Sequence, residues 1–370
     1  MAMEDVTGRP PPKSVLPMSP IGWARRNLFS SPGNTILTLA SLYILWLTIP
    51  PFLDFTIFSA VWTGTTREAC LVPDAGACWP FVWANIDQFI YGRYPPSEIW
   101  RVNLTFALGA AVIIPMLIPG LPARKLNLVF LLIVYPLVAL VLLAGDRPGL
   151  PPVPTSEWGG LLVTLVVAIT GIVASLPLGV LLALGRRSDM PAIRMLSIIF
   201  IEFWRGVPLV TVLFMASVML PLFLPEGFSP DNLLRCLVGV ALFSSAYMAE
   251  VVRGGLQSIP AGQYEAARAV GLTYWQAMTQ VVLPQALRHV IPGIVNTFIG
   301  LFKDTTLVLI VGLFDLLGQV RAQLSDPNWT VPQGALTGYI FAALVFWAFC
   351  FGMSQYSNFM ERRLDTSRER

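Results

Sequence analysis

Eight runs of about twenty mostly apolar residues occupy most of this chain, and nothing else in it restricts the fold as tightly. The hydrocarbon core of a bilayer offers no water to backbone N–H and C=O groups, so a run of this length crosses as a helix with its backbone bonds made internally. The runs fall at about 36–55, 102–118, 126–144, 161–184, 198–220, 233–252, 290–313 and 335–351. Of the 370 residues, 55% are hydrophobic and only 12% charged, which excludes an ordinary soluble domain and predicts an all-α membrane protein of about eight transmembrane helices. A net charge of +3, with no Lys/Arg block interleaved with aromatics, predicts membrane lipid rather than nucleic acid as the non-protein neighbour.

The distribution of charge carries more information than its sum. With the N-terminus inside, seventeen Lys and Arg fall in inner segments and six, Arg67, Arg93, Arg101, Arg147, Arg235 and Arg321, in outer ones, while Lys303 lies within a span. Positive residues stay on the cytoplasmic side, so both termini are expected there. Residues 1–34 lack a short apolar core with a small-residue cleavage site and read as a Pro-rich disordered tail, and 358–370 read as a second tail. The stretch "GDRPGLPPVPTSEWGG" (145–160) has linker composition. It separates an accessory region, 35–150, with a large outer loop at about 56–101, from a five-span core, 151–357. Trp79, Trp83, Tyr91, Tyr94 and Trp100 of the outer loop read as interfacial anchors. Cys70 and Cys78 share that loop, where an oxidising compartment permits a disulfide; Cys236 and Cys350 lie in spans as small hydrophobes. His289 is the single histidine and no cysteine pair has zinc-ligand spacing, so no metal site is expected.

One polar stretch, 254–289, interrupts the apolar pattern on the inner side. Pro260 and Gly262 end the extension of the sixth span, and from Gln263 the residues are strong helix formers with Glu265 near the positive end of the dipole. Gly271 suits a left-handed stop. Thr273 and Gln276 make a capping-box pattern, starting a second helix expected to run to the region of Pro284. Ala266, Ala267 and Ala269 let a partner surface come close, and Tyr264, Tyr274 and Trp275 offer large rigid contacts. From residue physics alone, a docking element and a surface helix packed only on its own bundle fit equally.

The spacing of Glu265, Ala266, Ala267, Gly271, Val281, Leu283 and Pro284 resembles the signature loop of membrane subunits of bacterial ATP-binding-cassette importers, with Val281 where Ile is usual. The likeness extends over about 161–351, through "IEFWRGVPLV" (201–210), where Val207 replaces the commoner Thr, and "LPQALRHVIPGIVNTFIGLFKDTTLV" (283–308). It is closest to the polar amino acid uptake branch, and the three leading spans are similar to larger subunits for general L-amino acids, or for glutamate, glutamine, aspartate and asparagine. The resemblance implies a type I importer core of five helices preceded by three extra ones, in a bacterial inner membrane. It also implies a coupling helix that docks on a separate ATPase, which binds ATP and Mg. The further partners it implies are a second, different permease subunit, two cytoplasmic ATPase subunits and a periplasmic amino-acid-binding protein. The chain has no GxxxxGK[ST] phosphate loop and is read as a transport subunit, not an enzyme.

Ionisable residues within a span are costly and mark a cavity or an interhelical contact. In the seventh span, Asp304 could take a substrate ammonium, with Asn296, Thr305 and Thr306 supplying hydrogen bonds. Alternatively Lys303 and Asp304 form structural ion pairs with Glu250 or Arg205. By resemblance Ser244, Ser245 and Tyr247 also border the path. Arg205, Gly206 and Pro208 interrupt the fifth span near its inner end as a gate or a simple kink. Gly334 and Gly338 form a GxxxG pattern that permits close helix contact. Two other functions remain open on the sequence: a self-sufficient ion-coupled amino acid transporter, and a noncatalytic structural or regulatory subunit.

Overall fold

A computed structural model describes residues 19–118, 124–225, 227 and 230–365. The first eighteen residues of the expected N-terminal tail, and the last five of the chain, lie outside the described residues. Among the described residues the secondary structure is helical, with isolated bridges in the outer loops as the only extended pairing.

Parts of both expected tails, 1–34 and 358–370, are helical. Ser19 caps a helix, α1, Pro20–Asn27, and Ser31 caps the first span, α2, Pro32–Phe58. Thr38 Oγ1 donates to Leu28 O and ties the turn between them. At the other end the last helix runs through residue 358 to Asp365. Both differences have one cause: a capping side chain, or an uninterrupted backbone ladder, extends a helix past its apolar residues.

Two short helices, α3, Trp79–Ala84, and α4, Ile86–Tyr91, build the outer loop before α5, Ile99–Leu117. The third apolar run is helical but only Phe130–Ala144, α6, forms its apolar segment, shorter than the other spans. Then follow α7, Gly160–Arg186, and the pair α8, Pro191–Gly206, and α9, Leu209–Phe223. These two are bent by 102°, so the fifth run, 198–220, is not one straight span. Val207 precedes Pro208, whose ring disfavours helical backbone at that position, and Val207 sits extended at φ −105° and ψ 133°. The next elements are α10, Asn232–Gln257; α11, Ala261–Ala269; α12, 274–289; and α13, Ile291–Val311, whose last turn from Thr305 tightens to 3-10 geometry. α14, Leu316–Gln323, and α15, Gly334–Asp365, complete the chain. Among the described residues, six helices are long and apolar enough to cross a membrane, seven if the bent pair is one span.

The linker-like stretch 145–160 does not hold two bodies apart. Its Val153 and Trp158 are buried with Val102 and Leu143 against Leu162, Val163 and Leu213 of the core. Arg101, fully buried, donates to Leu142 O at 2.5 Å and Pro151 O at 2.9 Å and lies 3.4 Å from Glu98 Oε2, so its charge is both paired and hydrogen-bonded. The outer loop is likewise part of the interior. Phe81, Val82 and Phe89 pack with Leu316 and Val320 of α14 and Ala342 of α15, beside a Cys70–Cys78 disulfide. Trp79 and Tyr94, expected as anchors at the membrane interface, are buried, whereas Trp83 and Trp100 are exposed. Cys236 is buried and Cys350 half-buried.

The first span is the exception to this packing. No residue in its apolar window is buried, and it joins the body at its C-terminal end, where Ala77 N–H donates to Phe55 O at 2.7 Å. The GxxxG pattern is used inside the chain: a Cβ on Gly338 would stand 2.6 Å from Val320 Cγ1, so this glycine lets α14 seat against α15.

Candidate functional site

At one end of the bundle, α11 and α12 form a helix-turn-helix. Pro260 starts the first helix, and its end is a Schellman closure: Leu272 N–H donates to Ala267 O at 3.1 Å and Gly271 N–H to Arg268 O at 2.9 Å, with Gly271 at φ +79°. Thr273 and Gln276 then complete the capping box that begins the second helix. That helix does not stop near Pro284. A π turn over Ala277–Val282 lies just upstream, and α-helix resumes over Leu283–His289, so the proline is absorbed within its first turn.

The two faces of this element differ. Met278, Val282 and Ala286 are buried against Ala183, Met248, Val252, Leu256 and Ile259 of the bundle, and Ala267 and Ala277 are buried as well. Glu265, Ala266, Arg268, Ala269 and Gly271 are exposed. Beside them three large side chains point away from the chain's own core: Val270 is 75% exposed, Trp275 62% and Tyr274 49%, the last two rings meeting edge to face. Of the sequence-picked contacts, Tyr264 faces the other way. Its hydroxyl accepts from Arg187 Nη1 at 3.0 Å and donates to Leu256 O at 3.1 Å. Leu283 is half-buried and Pro284 exposed.

Directly above, a charge cluster joins three helices. Glu250 of α10 accepts from Arg186 of α7 at 2.8 Å and from Arg253 at 2.7 and 2.9 Å, and Arg205 of α8 lies 3.9 Å away. Glu202 of α8 shares Arg186 at 2.8 Å and also stands 3.9 Å from Arg205. Arg205 further covers the half-exposed ring of Tyr247, 5.9 Å from its centroid. Neither Lys303 nor Asp304 is a partner of Glu250 or Arg205. Arg186, Arg187, Glu202 and Arg253 were not singled out from the sequence, although Glu202 with Arg205 and Glu250 with Arg253 have the i,i+3 spacing of helix-face ion pairs.

The mid-membrane candidates separate by exposure. Ser244, Ser245 and Thr305 are buried, and their hydroxyls donate to Val240 O, Ala241 O and Phe302 O within their own helices. Asn296 and Lys303 are exposed, one heptad apart on one face of α13, with Asp304 and Thr306 half-buried beside them. Thr306 Oγ1 donates to Lys303 O at 3.0 Å. Gly206 and Pro208 lie at the exposed elbow of the 102° bend.

Comparison with known proteins agrees with this arrangement. The family described as binding-protein-dependent transport system inner membrane component matches residues 175–366, just over half of the chain. The inner membrane amino-acid ABC transporter permease protein YhdY of Escherichia coli (strain K12) is 53% identical, across 94% of this chain and 93% of its own. The glutamate/glutamine/aspartate/asparagine transport system permease protein BztC of Rhodobacter capsulatus is 40% identical across 96% of each. A shorter relative, the probable glutamine ABC transporter permease protein GlnP of Bacillus subtilis (strain 168), is 33% identical and has 92% of its length covered by 56% of this chain. The helical membrane architecture, the family match that spans the inner helix-turn-helix and the two near-full-length relatives lead to one assignment: this chain belongs to the binding-protein-dependent transport system inner membrane components.

Proposed function

We propose that this chain is the permease subunit of an ATP-driven importer of L-amino acids. The observation that carries the reading is the two-faced inner helix-turn-helix, which is fixed to the bundle on one side and presents Val270, Tyr274 and Trp275 on the other. A bare cluster of one aliphatic and two aromatic side chains on a rigid element is the chemistry of a docking site, and this chain has no phosphate loop of its own. The occupant is a cytoplasmic ATPase subunit carrying ATP and Mg, one on this chain and one on a second, similar permease subunit. A periplasmic binding protein delivers the amino acid, and both termini of this chain lie in the cytoplasm. Polar amino acids are the substrate class: the name of YhdY gives amino acids, and that of BztC gives glutamate, glutamine, aspartate and asparagine. Within the membrane, the face of α13 bearing Asn296, Lys303, Asp304 and Thr306 borders the path, as does the half-exposed Tyr247 of α10.

Reconstitution in proteoliposomes with coexpressed partners tests this. Glu265→Ala with Gly271→Leu is expected to abolish uptake and release the ATPase subunit from a membrane subunit that still folds. Full uptake in that variant, or uptake by this chain alone driven by an ion gradient without ATP, would overturn the importer reading in favour of a self-sufficient transporter. Asp304→Asn and Thr306→Val, made separately, test the path. Unchanged uptake kinetics in both would place the substrate site outside this subunit.

A further inference from the structure

We infer that the adjacent arginines at the inner end of α7, Arg186 and Arg187, are positioning residues that form the joint between the docking loop and the span bundle. The inference rests on the docking reading and names the part of this chain that transmits what the docked ATPase does.

Arg187 holds the loop. Its Nη1 donates to Leu256 O and to Tyr264 Oη, both at 3.0 Å, and its guanidinium carbon lies 5.5 Å from the Tyr264 ring centroid. Tyr264 Oη in turn donates to Leu256 O at 3.1 Å, closing a triangle among the first turn of α11, the last turn of α10 and the end of α7. The loop's other attachments to the bundle are largely apolar, through Met278, Val282 and Ala286. Apolar burial is non-directional and tolerates sliding, whereas a charged donor shared between a carbonyl and a hydroxyl sets one orientation.

Arg186 holds the spans. Its Nη1 donates to Glu202 Oε1 and Glu250 Oε1, both at 2.8 Å, so it fastens α7 to α8 and α10 at once. Glu250 is little exposed, and Arg253 fills its second oxygen. The Arg186–Glu250 bond, with side chains 24% and 16% exposed, is shielded from water and stronger than a surface pair, whereas Glu202 is 53% exposed and adds direction more than strength. The two arginines are consecutive: Arg186 is the last helical residue and Arg187 its cap, whose N–H bonds Leu184 O at 3.1 Å. A displacement of Tyr264 therefore turns the end of α7, and with it the Glu202–Glu250 pair at the elbow of α8. Apolar packing alone would let the loop move without turning the spans.

The test uses the reconstituted complex, with amino acid imported per ATP hydrolysed as the readout. Tyr264→Phe and Arg187→Gln are each expected to lower that ratio roughly tenfold, the scale of one lost charge-assisted hydrogen bond. Their double variant is expected to be no worse than either single one, because both remove the same link. Arg187→Lys, which keeps a charged donor, is expected to recover part of the ratio. The ATPase subunit is expected to co-purify with all of them, since Val270 and Trp275 are untouched. A wild-type ratio in both single variants would overturn the inference, as would additive losses or release of the ATPase subunit from Tyr264→Phe. Val270→Asp with Trp275→Ala separates the two claims: if the ATPase subunit stays bound to that variant, the docking reading fails, whatever the joint does.

Discussion

Gly271 turns the chain between the two inner helices at φ +79°, a backbone region that costs a residue with a Cβ about 1–2 kcal/mol. No atom lies near enough to obstruct a Cβ there, so the cost of Gly271→Ala is conformational rather than steric. Co-purification of the ATPase with that variant is expected to fall, and a wild-type yield would show that the turn need not be left-handed. Asp315 gives a second prediction at this scale. It is fully buried in the outer turn between α13 and α14, where its carboxylate caps α14 by accepting from Gly318 N–H at 2.9 Å and Leu317 N–H at 3.3 Å. Burial pushes its pKa up from 3.8 to about 6, against the opposing pull of those backbone donors and of Arg321. Because the folded state holds the proton more tightly than the unfolded one, Asp315 contributes its stability below about pH 4, and this is lost as pH rises through about 6. The difference amounts to roughly 3 kcal/mol at neutral pH. Asp315→Asn can still cap the helix, so the gap in melting temperature between wild type and variant is expected to shift against wild type from pH 4 to pH 7. A constant gap would refute the assignment.

At the scale of elements, the patterns that proved legible in the sequence were those closed within a helical turn or two. The Thr273–Gln276 capping box, the Gly271 stop and the Pro208 break are local, and each appears where its residues predict. Pro284 misled because a π turn, which leaves no composition signal, rearranges the backbone ladder before it. The GxxxG of α15 showed that a close contact forms but not with what. Its occupant is α14 of the same chain, so Gly338→Leu is expected to destabilise the monomer by about 1–3 kcal/mol through overpacking against Val320, read as a lower melting temperature. The disulfide behaves likewise: Cys70 and Cys78 are eight positions apart and close a short loop, worth about 2–3 kcal/mol. Cys70→Ser with Cys78→Ser is expected to lower the melting temperature and remove its sensitivity to reductant. An unchanged melting temperature would mean that the surrounding apolar packing suffices.

Over the whole molecule, the accessory region and the core share one interior. Phe81, from the outer loop, is fully buried with residues of α14 and α15. Phe81→Ala is therefore expected to destabilise the permease core by about 3–5 kcal/mol, as a core truncation would, with loss of folded protein on solubilisation as the measurement. Retention of wild-type stability would restore the picture of two bodies joined by a linker. The sequence by itself determined that the chain is a membrane helix bundle, about where its apolar helices lie, and that the stretch 254–289 is helix, glycine turn and helix. Those properties follow from hydrophobic length and from hydrogen bonds made within a few residues. Only the tertiary structure decided that Glu250 pairs with Arg186, 64 positions away, that Thr337 Oγ1 receives the Cys78 N–H across 259 positions, and that Tyr264 faces the bundle while Trp275 faces out. The physical reason is that a charge or an aromatic ring carries no address in its own sequence. Its partner is whichever group the packing of distant helices brings within about 3 Å.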